Sequence, residues 1–143
     1  MKRKILAESL LKDETINDLP DYKIHCFNNG RMLILVCRDR FNESGLTEDF
    51  YDENWNHINV RRPKHPNAST PSQRPEMLEE MLKLADILSR GCPFLRVDFY
   101  CVNHKIYFGE LTFSPAGACT PFKPRSVDYE WGSWITLPEK TNC

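Results

Sequence analysis

No apolar run in this chain approaches the roughly 20 residues that a membrane span requires,. The opening Met1-Lys-Arg-Lys-Ile-Leu-Ala7 carries basic residues, but Glu8 interrupts it before the apolar core of a signal peptide can form,. The pattern reads as cytoplasmic. An excess of either charge is also missing: the formal net charge is -1, which argues against a general binder of nucleic acid or of anionic membranes,. Cys-x-x-Cys spacing and zinc-type His pairing are absent among the six cysteines,. Cys26, Cys37 and Cys101 fall in strand-like segments, where a free thiol behaves as a small hydrophobe. Asn42-Glu-Ser44 and Asn67-Ala-Ser69 match a glycosylation sequon, which means nothing without secretion. No Ser/His/Asp or Cys/His set, internal repeat or low-complexity tract stands out.

What is present is enough for one domain with a real core, since the chain has 143 residues of ordinary globular composition,. Ile5 to Leu11 is a short apolar segment carrying Glu8. Tyr22–Phe27 and Met32–Cys37 flank Asn28-Asn-Gly-Arg31, a strong hairpin signal with Asn29-Gly30 suited to a tight turn. The second of these strands is continuously apolar and is expected to be buried on both faces. Lys23 sits in the first, either as a snorkelling surface lysine or as a paired cation. Residues 61–75, rich in Pro, Ser, Thr and Asn, read as an exposed loop, with a basic cluster of Arg61, Arg62, Lys64, His65 and Arg74. Pro75 opens a helix that Gly91 stops, with Met77, Leu78, Met81, Leu82, Ala85 and Leu88 on one face. Asp128 to Ile135 reads as a short amphipathic helix.

The most informative stretch is Arg96 to Pro115, two strands broken at Asn103-His104 with acids placed inside them. Interior acids must be paired, hydrogen-bonded or bound to metal. Asp98 and Glu110 stand twelve positions apart. A strictly paired two-residue turn would set Asp98 opposite Gly109 and send Glu110 to the other face. A three-residue loop, or a bulge absorbing one residue, would bring the two acids together. The expectation is the latter, with Asn103 or His104 at positive φ. Two such carboxylates repel unless a divalent cation sits between them, and Arg96, two residues before Asp98, would share their face and hold a phosphate as a planar fork. A half-exposed hairpin with a surface Arg–Asp pair fits the pattern equally well.

Asp21-Tyr-Lys-Ile-His-Cys-Phe-Asn-Asn-Gly30, Phe50-Tyr-Asp-Glu-Asn-Trp55, Leu95-Arg-Val-Asp-Phe-Tyr100, Ile106-Tyr-Phe-Gly-Glu-Leu-Thr-Phe113 and Asp128 to Leu137 together resemble the ATP-grasp enzymes. Within them the similarity is to the TupA-like branch of teichuronopeptide and cell-surface polysaccharide biosynthesis. The resemblance implies an α+β fold, an antiparallel sheet with helices packed on it, equivalent to the C-terminal half of an ATP-grasp enzyme. An N-terminal domain and a Gly-rich phosphate loop are then expected to lie elsewhere. It implies ATP and Mg²⁺ as cofactors, with Asp98 and Glu110 binding the metal and Thr112 standing where many relatives have Asn. It implies Arg96 as the catalytic phosphate contact, and Glu8 and Leu11 at the adenine hinge. Asp21 would hold ribose and Lys23 the nucleotide phosphates. The implied chemistry is carboxylate–amine ligation through an acyl-phosphate, with a carboxylate substrate of surface-polymer synthesis. Alternatively the chain is a non-catalytic module that binds nucleotide or assembles with a partner chain. In either case a missing half leads one to expect exposed apolar surface along Met32–Cys37 and near Phe99 and Tyr107.

Overall fold

A computed structural model describes residues 5, 7–13, 18–43 and 45–139. Six strands form one antiparallel sheet: β1 (Asp21–Phe27), β2 (Met32–Arg38), β3 (Thr47–Tyr51), β4 (His57–Ile58), β5 (Phe94–Val102) and β6 (Lys105–Thr112), in the order β4-β3-β2-β1-β5-β6. Two helices complete it, α1 (Leu78–Ser89) and α2 (Ser126–Gly132). This is the expected α+β arrangement of an antiparallel sheet with helices on it.

Local chemistry accounts for the elements. At the β1–β2 turn Gly30 takes φ +86°, which costs glycine nothing, and the Asn29 side chain accepts a hydrogen bond from the Arg31 N–H at 3.1 Å,. The first turn before α1 closes at Pro75, whose carbonyl accepts from the Leu78 N–H at 3.2 Å, so the helix proper starts three residues later than the sequence suggests. α2 likewise starts and ends before the expected span of 128–135.

Side chains alternate across the sheet, and the two faces differ. On one, Leu78, Met81 and Ala85 of α1 close over Tyr22, Ile24 and Cys26 of β1, Ile34 and Val36 of β2, and Leu95, Val97 and Phe99 of β5. On the other, Val127 and Trp131 of α2 cover Phe27, Leu33, Leu35, Cys37, Phe50 and Val60. β2 is therefore buried on both faces, as its apolar run requires. Its central place, beside β1, overturns the expectation of an exposed apolar surface from Met32 to Cys37, and Phe99 is buried too. Tyr107 is exposed as expected, and on and just beyond its edge strand β6 Phe108 (56% exposed), Leu111 and Phe113 are left open with it.

The five described cysteines are all free, and Cys143 lies outside the described residues. The basic cluster of residues 61–75 does not converge, because Arg62 pairs with Glu48 and Arg74 with Glu79.

Candidate functional site

The β5–β6 hairpin determines the site. Its turn has two residues, Asn103 and His104, both left-handed (φ 49° and 59°), and pairing runs regularly from Val102↔Lys105 to Phe99↔Phe108,. The register then shifts: Val97 pairs with Leu111 and Arg96 with Thr112, so Gly109 and Glu110 together face Asp98. One residue is absorbed by a bulge, as the parity of the two acids demanded. Gly109 suits the close approach, since a Cβ there would stand 3.1 Å from the Asp98 carbonyl oxygen.

The bulge brings Glu110 onto the face that carries Arg96, Asp98, Lys23 and Asp21. Arg96 grips Asp98 as a fork, Nε to Oδ1 and Nη2 to Oδ2, both at 2.7 Å, and its Nη2 also reaches Glu110 Oε1 at 2.6 Å. Lys23, directly across from Asp98 in the β1–β5 pairing, places Nζ 2.5 Å from Asp98 Oδ2 and 2.6 Å from Asp21 Oδ2. Arg40 approaches Asp21 Oδ2 at 3.4 Å, and the Thr112 hydroxyl donates to Glu110 Oε1 at 3.1 Å. Three acids thus face three bases. The lysine is neither a snorkelling surface residue nor unpaired. Burial alone would lower its pKa, but the carboxylates of Asp21 and Asp98 outweigh burial and raise it, so it stays protonated,. Burial raises the pKa of Asp21, and Lys23 only partly offsets that.

These contacts also correct the sequence-based electrostatics. The repulsion between Asp98 and Glu110 is relieved by the Arg96 guanidinium between them and does not of itself call for a metal ion. Among the described residues, no three His, Cys, Asp or Glu side chains converge as a ready metal cage. The oxygen donors Asp98, Glu110 and Thr112 are nonetheless of the hard type that Mg²⁺ takes, and Mg²⁺ commonly needs only one or two carboxylates beside phosphate oxygens. The Glu110 side chain is 61% exposed, and its contacts with Arg96 and Thr112 both fall on Oε1. The residues fit the ion on one condition: Arg96 must release carboxylate oxygens.

Glu8 is exposed and Leu11 half-buried, both in irregular chain, and neither makes a hydrogen bond or ion pair to a described residue. Their segment does pass the hairpin, where Asp13 Oδ2 accepts the Asn103 N–H at 3.3 Å. Asp21 is buried behind Lys23 and Arg40.

Sequence reasoning passed over His25, although strand alternation puts it on the same face as Lys23 and opposite Arg96,. Its Nδ1 lies 3.2 Å from the Lys23 carbonyl oxygen, which can only accept, so Nδ1 carries the proton,. Burial, reinforced by Arg96, lowers its pKa to about 3, and the imidazole is neutral in the folded protein,. Unfolded, it binds a proton below pH about 6.5. Between those values the unfolded state holds the extra proton, so stability falls as pH drops from about 6.5 toward 3. A His25→Gln variant is expected to show a flatter decline of urea midpoint over that interval; parallel curves for the two proteins would contradict it.

Beyond His25 the charged patch gives way to a cleft of about 800 Å³ between this sheet face and residues 113–137, walled by Phe94, Phe113, Phe122 and Trp131.

A family model described as TupA-like ATPgrasp matches residues 1–136. The chain belongs to the TupA-like ATP-grasp family. No curated protein and no solved structure matches it. Membership sets the general function as ATP-grasp-type, a family that works with ATP and Mg²⁺. Among the described residues no helix is long and apolar enough to cross a membrane.

Proposed function

We propose that this ATP-grasp chain binds ATP and Mg²⁺ as part of a carboxylate–amine ligase of cell-surface polysaccharide synthesis. The observation that carries the reading is the bulge that gathers Arg96, Asp98, Glu110 and Lys23 on one sheet face. In such a ligation a carboxylate oxygen takes the γ-phosphoryl group of ATP and ADP departs. The amine nitrogen then forms the C–N bond, inorganic phosphate leaves and the amine gives up a proton. No side-chain nucleophile is needed, which fits a sequence in which no Ser/His/Asp or Cys/His set stands out. Asp98, Glu110 and Thr112 would hold Mg²⁺, which supplies charge neutralisation on the phosphates. Arg96 and Lys23 carry permanent positive charge beside that position, Arg96 as a fork matched to phosphate or acyl-phosphate oxygens. Glu8 and Leu11 would meet adenine and Asp21 the ribose, or, from where it is buried, Asp21 would serve by holding Lys23.

Because Arg96 occupies Asp98 and Glu110, metal and nucleotide should enter together. Phosphate would draw the Arg96 guanidinium away and leave Asp98 and Glu110 to hold the cation. Calorimetric titration checks this. Mg²⁺ alone should give no binding heat, Mg·ATP should bind, and Glu110→Ala, which alters an exposed side chain, should weaken Mg·ATP at least tenfold. Equal affinity of Glu110→Ala and wild type would sink the metal assignment.

A second reading, a non-catalytic nucleotide-binding module that docks on a partner chain supplying further ATP-grasp elements, draws on the exposed Phe108, Leu111 and Phe113,. Bound Mg·ATP with no turnover in the presence of any carboxylate and amine would favour it.

A further inference from the structure

Glu48 and Arg62 form an ion pair for which the site above has no use. Glu48 is 1% exposed, lies on β3 across from Cys37, and accepts Arg62 Nε at 2.7 Å and Nη2 in a second, parallel contact. A pair of this kind is weak evidence for stability, because desolvating both charges cancels much of their attraction, and apolar residues of similar size often do as well. Its effect on geometry is definite. Glu48 holds the guanidinium by two nitrogens, keeps it protonated through those hydrogen bonds, and leaves Nη1 without a hydrogen-bond partner among the described residues,.

Arg62 lines the aromatic cleft, as does His25. His25 is opposite Arg96 in the β1–β5 pairing, so the cleft and the charged patch adjoin through one residue. The cleft volume, about 800 Å³, falls in the range of pockets for whole small molecules, roughly 300–1,000 Å³,. Aromatic rings, Phe94, Phe113, Phe122 and Trp131 among them, make up a large part of its walls and favour a partner with an apolar ring face,. The other cation lining it, Arg125, is 67% exposed and pairs at 3.1 Å with Asp128, an acid that lines the same cleft and would repel a carboxylate beside it. Arg62 is paired as well, but its acid lies beneath it, outside the cleft lining, and its orientation leaves Nη1 over as a donor; His25 beside it is uncharged.

We infer that this cleft is the acceptor site and takes a single carboxylate borne on a ring with an apolar face, the carboxylate held by Arg62 and the ring by Phe94, Phe122 and Trp131. This deepens the ligase reading by naming the class of acceptor, while resting on the cleft's own geometry. Two sources share that chemistry, an aromatic amino acid or peptide end and a sugar acid.

The test needs no nucleotide, so loss of Mg·ATP binding and loss of acceptor binding are separate outcomes. Tryptophan emission of the full chain is titrated with N-acetylphenylalanine against its amide, and with phenyl glucuronide against phenyl glucoside. At least one acid should bind tenfold or more tighter than its neutral counterpart, and the acid that wins identifies the source. Arg62→Lys retains a charge for Glu48 but has no fork, and it should erase the preference. Glu48→Gln/Arg62→Met removes the pair together, so no buried charge is stranded should the single variant unfold, and it should do the same. Acid and neutral ligands binding equally to wild type, no binding by either acid, or a preference that survives both variants would overturn the assignment.

Discussion

Replacing Asp98 with Ala should lower unfolding stability by about 3–5 kcal/mol, the usual cost of stranding one side of a buried ion pair. Asp98 is 2% exposed and its two oxygens receive three contacts, from Arg96 Nε, Arg96 Nη2 and Lys23 Nζ. Without it, among the described residues, Arg96 keeps only the exposed Glu110, and Lys23 keeps only Asp21, whose carboxyl burial already disfavours in its charged form. Chemical denaturation at neutral pH measures the loss as a shift in urea midpoint at unchanged slope. A change under about 1 kcal/mol would show that water, and not Asp98, balances these cations. The same side chain thus maintains the fold and is the proposed metal ligand. Glu110→Ala is therefore the cleaner probe of binding, and Asp98→Ala the cleaner probe of stability.

Trp131→Ala should cost a comparable amount, about 3–5 kcal/mol for removing a large buried ring, and the damage should be local. α2 spans seven residues, far fewer than the roughly 12–15 at which an isolated helix becomes even marginal, so packing must hold it,. Trp131 supplies that packing through Phe50 (5.2 Å between ring centroids) and Phe122 (4.8 Å). Hydrogen exchange should show residues 113–137 losing protection while β1, β2 and β5 keep theirs, and acceptor analogues should no longer bind because one wall of the cleft is gone. Uniform loss of protection across the sheet would mean that the segment and the sheet fold as one unit.

Much of the fold was legible because its signals are local. Asn29-Gly30 announced the first hairpin and the apolar run of Met32–Cys37 its buried second strand. The 3.6-residue spacing of Leu78, Met81 and Ala85 marked the core face of α1. The edges were less legible: α1 begins three residues after Pro75 and α2 is shifted from 128–135, since capping and packing decide where a helix ends. The exposed apolar surface was misplaced along β2 and at Phe99, though not at Tyr107, for a different reason. Sequence shows that Phe99 and Phe108 are both apolar strand residues, but only strand order shows that β5 has a neighbour on each side while β6 has one.

For the site, strand parity in the sequence already limited Asp98 and Glu110 to two arrangements and identified a bulge as one way to join them. Arg96 followed by the same alternation. What parity could not supply is distance across strands. Lys23, 75 positions from Asp98, meets it only because β1 lies between β2 and β5, and Glu48 meets Arg62 because the loop after β4 folds back over β3. The sequence by itself determined which residue types bear charge inside strands and which faces they share within one strand, because alternation is a local property of extended backbone; the face of Glu110 relative to Asp98 waited on the bulge. Tertiary structure alone decided which charges neutralise one another, and so that a guanidinium stands between the two acids. Pairing across strands depends on register and order, and no short stretch of chain encodes either.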